Sequence, residues 1–246
     1  MDFLQNKIKA GSDTGSEAQV SRRNRKRIVR KALFDGPVEK AAETASEGGL
    51  MRGVNAVLPF LYDLDELLRW RAVSVTGILV DRLAFENLEA ARVVMRRLMW
   101  NLNDESGGIG WGSAETMGEI LARNGVLAGE YAHILLSYAK EDGNYLELPQ
   151  LQRGVLWGIG RLAGARPEYV DSSSIGIRKY LISADAEVRG AASWLAGLLT
   201  VREAAVELEK LRDDNRLFPL YIEGKILKKR VGDTASEALD LIAGAG

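Results

Sequence analysis

Hydrophobic side chains recur at helical spacing along almost the whole chain. The helix predicted over 67–83 carries on one face Leu68, Ala72, Val75 and Leu79. The chain has only five prolines and few alternating runs of β-branched residues, so little in it favours β-sheet. The pattern therefore predicts an all-α protein built from amphipathic helices.

The predicted helices come in pairs joined by polar turns. The five pairs are Leu50–Leu61 with Leu67–Leu83, Glu86–Leu102 with Ser113–Arg123, Glu130–Ala139 with Leu148–Ala163, Val170–Ile182 with Ala186–Leu199, and Val201–Arg212 with Thr234–Ile242. Residues 1–20 lack a firm period and are expected to be mobile, whereas 21–49 predicts two short helices that form an N-terminal cap. We expect residues 50–246 to form a solenoid, whose core extends by stacking.

Glycine recurs at one position of the second helix in successive pairs. These glycines, spaced by about 40 residues, are Gly77, Gly118, Gly160 and Gly197, and Asp240 takes the position in the fifth pair. Glycine inside a helix costs roughly 1 kcal/mol relative to alanine. Its recurrence predicts that neighbouring hairpins approach closely there, and a two-helix unit of this length is typical of HEAT and armadillo repeats.

Two second-helix segments carry a resemblance to a known family. Val188-Arg-Gly-Ala-Ala-Ser-Trp-Leu-Ala-Gly-Leu-Leu199 resembles the signature of the HEAT-like repeats named after phycobilisome lyases, and Arg69–Gly77 is a looser copy. The resemblance covers residues 50–242 and implies a right-handed α–α superhelix. The segment 100–123 further resembles a bacterial subgroup of HEAT-repeat proteins without an assigned function. Some distant relatives attach bilins, but no residue motif for that activity can be carried over to this chain.

The helical repeat is interrupted near the C-terminus. The segment 217–230 predicts a β-hairpin, with two short strands on either side of Glu223 and Gly224. Because an isolated hairpin is marginally stable, we expect it to pack on the last helices. Two interpretations stay open at this point: a cover over the apolar end of the solenoid, or an edge that docks a partner.

Charge and composition narrow the possible chemistry. The net charge is −1, so no global field attracts nucleic acid or an anionic membrane, and we expect neither as a partner. The chain has no cysteine and a single histidine, His133, which excludes thiolate sites and multi-histidine metal sites. We expect no metal and no cofactor. Residues 1–16 lack the apolar run of a secretory signal, and no run of 18 apolar residues appears anywhere, so a cytoplasmic protein is the simplest expectation.

The segment 100–123 carries the most unusual polar residues of the chain. Glu115 takes the position that Trp157 and Trp194 occupy in later pairs, and Glu119 lies one helical turn further on the same face. Two glutamates so placed repel each other and need water, a cation or arginines if they are buried. The arginines expected to pair with them lie on the preceding helix, at Arg92, Arg96 and Arg97.

Three interpretations of these glutamates stay open. They could form a structural polar network that fixes the repeat geometry, or a recognition surface for a peptide or small ligand. They could also be a catalytic carboxylate pair, which requires environments that separate their two pKa values.

A second polar loop, 142–147, follows one repeat later. Because adjacent loops of a solenoid line the same rim, the two loops predict one patch that contains Trp111 and Tyr145. The alternative is an ordinary Asp-Gly-Asn turn. The candidate ligand- or partner-binding residues are Arg97, Asn103, Asp104, Glu105, Trp111, Glu115, Glu119, Asn144 and Tyr145, and no catalytic residue is predicted.

Other conspicuous residues have structural interpretations. His133 is expected to be a half-buried histidine with its hydrogen bonds satisfied, and Trp157 and Trp194 are expected in the core. The basic run Arg22–Lys31 is typical of a solvated helix face, with contact to nucleic acid or an acidic partner as the alternative.

These observations favour a non-enzymatic scaffold or adaptor over an enzyme. It would bind a protein partner of unknown identity through its concave surface and the Trp111/Tyr145 rim. The alternative, which rests on the distant family resemblance, is a lyase-like or chaperone-like factor that acts on a small ligand such as a tetrapyrrole.

Overall fold

The computed structural model describes residues 23–103 and 110–245. Within them the chain is all-α with a two-stranded β-hairpin near the C-terminus, as the pattern predicts. Residues 1–20, expected to be mobile, lie outside the described residues. In the part of the chain that is described, no helix is both long enough and apolar enough to cross a membrane.

The helices form hairpins that stack side by side. Helix α1 (23–35) and helix α2 (Val38–Ser46) precede the repeats, and α2 packs on the first pair. The first helices of the pairs are α3 (Leu50–Val57, extended by a 3₁₀ turn, Leu58–Tyr62), α5 (Leu88–Asn103), α7 (Gly125–Ser137), α9 (Ile177–Leu181) and α11 (Ala205–Leu211). The second helices are α4 (Glu66–Glu86), α6 (Ser113–Arg123), α8 (Pro149–Ala165), α10 (Ala186–Leu198) and α12 (Val231–Gly244). Each second helix packs on the next one, so α4, α6, α8, α10 and α12 form one continuous layer, the second-helix face.

The second helices lie close to their predicted bounds, whereas several first helices do not. Helix α7 begins earlier than predicted because the Asn124 side chain accepts a hydrogen bond from Leu127 N and caps it. The helix predicted over 170–182 is mostly absent. Asp171 caps a 3₁₀ turn there and Gly176 has φ +63°, so only the short α9 remains.

The repeat glycines lie where consecutive second helices touch. A Cβ atom on Gly118 would lie 2.3 Å from the Cα of Gly158 in α8, and one on Gly197 would lie 2.8 Å from the Cα of Ala238 in α12. At Gly160 the added atom would meet the Trp194 ring at 2.3 Å. The close approach expected from the glycine repeat is therefore present, and the layer could not pack this tightly with larger residues at these positions.

A second repeated position ties three of the helix pairs together. Eight residues before the repeat glycine, Arg69, Gln152 and Arg189 each donate side-chain hydrogen bonds to main-chain carbonyls of the turn five or six residues earlier. In the α5–α6 pair this position is Gly110, where a Cβ atom would lie 2.5 Å from Asn101 O. That pair has no side-chain donor at this position to hold its turn.

The β-hairpin folds back over the second-helix face. Its strands β1 (Leu217–Ile222) and β2 (Lys225–Arg230) are antiparallel, with Leu217 opposite Arg230. Glu223 and Gly224 form the two-residue turn with φ +48° and +80°, as the sequence predicts. Strand β1 packs on α10 and β2 packs on α12, which agrees with the expected contact to the last helices.

The hairpin also contacts the first repeat. It therefore lies across the second-helix face and is not only a cover over the end of the solenoid. Tyr221 stacks on Trp70 of α4 with ring centroids 5.0 Å apart, and its hydroxyl lies 2.9 Å from Ser74 Oγ. Trp157 of α8 donates its indole N–H to Tyr221 O at 2.8 Å. This aromatic cluster of Trp70, Trp157 and Tyr221 joins repeats that are distant in sequence and gives the second-helix face a fixed cover.

The glycine contacts predict opposite effects of two Gly→Ala substitutions. We expect Gly118→Ala to destabilise the protein by about 1–3 kcal/mol, because the new methyl group meets backbone of α8. Gly164→Ala is the matched control, since that helical glycine is exposed with no atom within 4 Å of an added Cβ. It should be neutral or stabilising by up to about 1 kcal/mol. Urea unfolding of both variants measures the difference; equal effects would contradict the close-packing account.

Candidate functional site

A cavity of about 230 Å³ opens between four second helices and strand β1. We call it the Glu115 cavity. Its lining residues are Glu66, Arg69, Trp70 and Val73 of α4, Trp111, Gly112 and Glu115 at the start of α6, Gln150, Arg153, Gly154 and Trp157 of α8, Glu187 and Ala191 of α10, and Pro219 and Leu220 of β1. The cavity thus combines three indole rings with charged groups of both signs.

Two glycines set the position of Glu115. Gly112 has φ +73°, the left-handed conformation that glycine adopts without strain, and it starts α6 so that Glu115 falls in the first helical turn. A Cβ atom on Gly154 of α8 would lie 2.5 Å from the carboxyl carbon of Glu115. The missing side chain at position 154 therefore makes the space that the Glu115 carboxyl group occupies.

The Glu115 carboxyl group has a strongly shifted pKa. Protein atoms surround it closely, although the side chain as a whole is half-buried because one side faces the cavity. Burial raises the pKa of Glu115 to about 7, and its own backbone N–H and the charges of Arg153 and Arg69 only partly oppose that rise. Among the described residues, no other side chain hydrogen-bonds to this carboxyl group or pairs with it.

The two arginines of the cavity are engaged elsewhere. Arg69 donates to Asp63 O at 3.0 Å, and its guanidinium lies 5.9 Å from the ring centroid of Trp111. Arg153 forms an ion pair with Glu187. The indole N–H of Trp111 and the Nε–H of Arg153 are buried and have no hydrogen-bond partner in the part of the chain described. The cavity therefore holds an unpaired carboxyl group and two unused donors.

Glu119 has a different environment from Glu115. It is only 3 % exposed, and its two carboxylate oxygens accept hydrogen bonds of 2.6 Å from Arg123 Nε and Arg161 Nε. It faces a second cavity of about 410 Å³, on the other side of Trp157. Glu119 therefore belongs to a structural ion-pair network between α6 and α8, whereas Glu115 does not.

The arginines expected to pair with the two glutamates do not reach them. Arg92 and Arg96 form ion pairs on the first-helix layer with Glu130 and Glu89, and Arg97 donates to Asn55 Oδ1 at 3.1 Å. This part of the prediction is wrong, Arg97 included. The arginines that bind Glu119 lie on α6 itself and on α8 rather than on the preceding helix.

The loop residues predicted to share a patch with Trp111 make local contacts. Tyr145 accepts a hydrogen bond from Gln152 Nε2 at 3.0 Å, and Lys179 Nζ lies 4.1 Å from its ring centroid. Asn144 donates to Ser137 Oγ within its own hairpin. Neither side chain lines the Glu115 cavity. Asn103 ends α5 and is exposed, and Asp104 and Glu105 lie outside the described residues.

The remaining predictions have mixed outcomes. Trp157 is in the core, whereas Trp194 is half-buried and lines the second cavity. His133 is exposed rather than half-buried, because it lies on the outer side of α7. Within the described part of the basic run, Arg25 donates to main-chain carbonyls at the end of α2, so it is partly structural.

Four residues of the cavity wall were not among the candidates predicted from the sequence. Trp70 and Trp111 both line the cavity, seven residues before their repeat glycines. The repeat register could have indicated the two arginines as well, because Arg153 holds the same position before Gly160 and Arg69 directly precedes Trp70. Leu220 could not be found, because nothing in the local sequence indicates that the hairpin covers this face.

The two glutamates do not form the catalytic carboxylate pair that was one of the three interpretations. Glu119 is held by two arginines beside a different cavity, so the two carboxyl groups do not line one common site. Within 23–103 and 110–245, no group of three or more His, Cys, Asp or Glu side chains could hold a metal ion. What the arrangement offers is the Glu115 carboxyl group, two unused N–H donors and three indole rings in the wall, one of which is already stacked on Tyr221.

Comparisons with known proteins address the fold only. No protein-family model matches the chain, and no curated protein matches it. Among solved structures, the chain is similar to an engineered protein whose crystal structure was determined by the Northeast Structural Genomics Consortium. The similarity has a TM-score of 0.50 and 15% sequence identity, and covers 91% of this chain and 98% of the other. At that identity the similarity shows a shared fold and nothing further.

The two glutamates predict opposite stability changes on amidation. The pKa of Glu115 in the folded protein lies near 7, above its ordinary 4.5, so ionising this residue lowers the free energy of unfolding. This cost is absent below about pH 4.5 and is complete above about pH 7. Glu115→Gln should match the wild type near pH 4 and exceed its free energy of unfolding near pH 8 by on the order of 2 kcal/mol.

Glu119→Gln is the matched comparison on the same helix. It should destabilise the protein by about 2 kcal/mol or more at pH 8, because Arg123 and Arg161 lose their shared counter-ion. Urea unfolding at the two pH values measures both variants. A Glu115→Gln protein that is less stable than the wild type at pH 8 would show that Glu115 is also paired.

Proposed function

We propose that this protein is a non-enzymatic binding module whose site for a protein partner is the Glu115 cavity on the second-helix face. The observation that carries the proposal is the unpaired, half-buried Glu115 carboxyl group beside the Trp111 indole, in a cavity with three tryptophans. Burying a carboxyl group without a partner costs stability, and a ligand that supplies the partner would compensate that cost.

The size and position of the cavity support a side chain of a partner as its occupant. Its volume of about 230 Å³ is below the range of about 300–1,000 Å³ that is usual for drug-sized ligands. A single large side chain suits such a volume better than a tetrapyrrole does. Tryptophan and arginine, the residues enriched at binding hot spots, also line this cavity.

The HEAT-like resemblance is part of this proposal. The stack of helical hairpins, the repeat glycines and the donor position before them agree with that type of repeat. Such solenoids commonly bind other proteins along the face that their second helices form. The hairpin narrows this face, so the proposal assigns the partner to the Glu115 cavity rather than to the Trp111/Tyr145 rim.

A peptide selection tests the proposal without a known partner. A random peptide library displayed on phage is panned against the full chain, and the affinities of the selected peptides are measured by fluorescence anisotropy. We expect Trp111→Ala to weaken their binding by about tenfold or more, since the indole forms one wall of the cavity. The control is Trp100→Ala, a tryptophan that is 74 % exposed on α5 away from the cavity and should leave binding unchanged.

Two results would contradict the proposed function. One is that no peptide is enriched more strongly on the wild-type protein than on the Trp111→Ala protein. The other is a set of peptides that bind wild type and Trp111→Ala equally, which would put the binding surface elsewhere on the chain.

A further inference from the structure

The Glu115 cavity has charged groups on every helix that forms it, and among the described residues Glu66 and Glu115 have no side-chain partner while the other three do. Arg69 of α4 contacts Asp63 O and the face of Trp111, and Arg153 of α8 pairs with Glu187 of α10. Glu66 of α4 also lines the wall. Ionised Glu115 adds a negative charge that none of these groups neutralises by direct contact. The wall then carries three carboxylates, those of Glu66, Glu115 and Glu187, against two arginines.

The aromatic side chains make the same cavity favourable for a positive charge. Trp70, Trp111 and Trp157 all contribute to its wall, and tryptophan is the aromatic residue that attracts cations most strongly. An arginine already lies against Trp111, which shows that this indole accepts a guanidinium on one face. A carboxylate framed by indole rings is the chemistry that recognises a single cationic group.

From this geometry we infer that the cavity receives one cationic side chain of the partner, an arginine or a lysine, and that Glu115 is its counter-ion. The inference rests on the proposed function and names the chemistry of its partner. The guanidinium or ammonium group would enter between the indoles and donate to the Glu115 carboxylate. An arginine can do so with two parallel hydrogen bonds, which a lysine cannot.

A cation bound in the cavity would also compensate the stability cost of burying the Glu115 carboxylate. A nearby positive charge stabilises the ionised carboxylate, so binding should lower the pKa of Glu115 from about 7. By linkage, affinity for the cation should decrease as the pH falls below 7 and the carboxyl group becomes protonated. The charged groups that line the cavity together with Glu115 are Arg69, Arg153, Glu66 and Glu187.

The test uses three probes of nearly equal shape: the N-acetyl amides of arginine, lysine and citrulline. Citrulline keeps the planar group of arginine without its charge. Their binding is followed through the indole N–H signals of the five tryptophans in ¹H–¹⁵N NMR spectra, which Trp→Phe variants assign. We expect arginine or lysine amide to shift the signals of Trp70 and Trp111 while leaving Trp100 in place.

The expected preference for a cationic amide over the citrulline amide is about tenfold or more in affinity at pH 8. This preference should vanish in Glu115→Gln. It should also decrease in Gly154→Ala, where the new methyl group would displace the Glu115 carboxyl group without removing its charge. Histidine ordinarily titrates in the same pH range, so His133→Gln is the control for the pH dependence.

The outcomes separate this inference from the proposed function. Equal affinity for citrulline and arginine amides, or a charge preference that persists in Glu115→Gln, would overturn the inference of a cationic ligand. If peptides selected on the full chain bind through Trp111 but contain no arginine or lysine that they require, the inference fails and the proposed function stands. A third result leads to the same conclusion. In it, the free amides shift no cavity tryptophan at any soluble concentration, and the selected peptides bind without needing their basic residues.

Discussion

The close approach of consecutive second helices is the constraint on which the rest of the structure depends. Where Gly118 meets Gly158, the two backbones touch without intervening side chains. Because the second-helix layer is so tightly packed, one tyrosine of the hairpin can contact both Trp70 of α4 and Trp157 of α8. The hairpin then closes one side of the Glu115 cavity. The cavity is thus a consequence of helix packing, and a larger residue at the repeat glycine would change both together.

Repeat proteins acquire specific sites by changing individual positions within a conserved packing scheme. Here the position that holds Trp157 and Trp194 in two later repeats holds Glu115 in α6, and Gly154 opposite makes room for it. One turn along the same helix, Glu119 is neutralised by two arginines. The same residue type therefore serves stability at one position and is left unpaired at the other, which is why we assign binding to Glu115 alone.

The fold and part of the site could be predicted from the sequence, and the limits have physical causes. Helical periodicity reports local amphipathicity, so the second helices, the glycine contacts and the turn at Glu223 and Gly224 were predictable. The altered chemistry at Glu115 was visible by comparison of repeats. The partners of Glu119 and the course of the hairpin were not, because they depend on contacts such as Ser74 with Tyr221, 147 residues apart. No local pattern encodes such a contact.

The most direct test of the account is the titration of Glu115 itself. Carboxyl ¹³C shifts of glutamate-labelled protein, assigned with Glu115→Gln, give the pKa of this residue with and without saturating N-acetyl arginine amide. The account predicts a pKa of about 7 in the protein alone, because burial disfavours the unpaired carboxylate, and a lower pKa with the cation bound. A pKa near the ordinary 4.5 in the protein alone, or no change on adding the cation, would contradict the account.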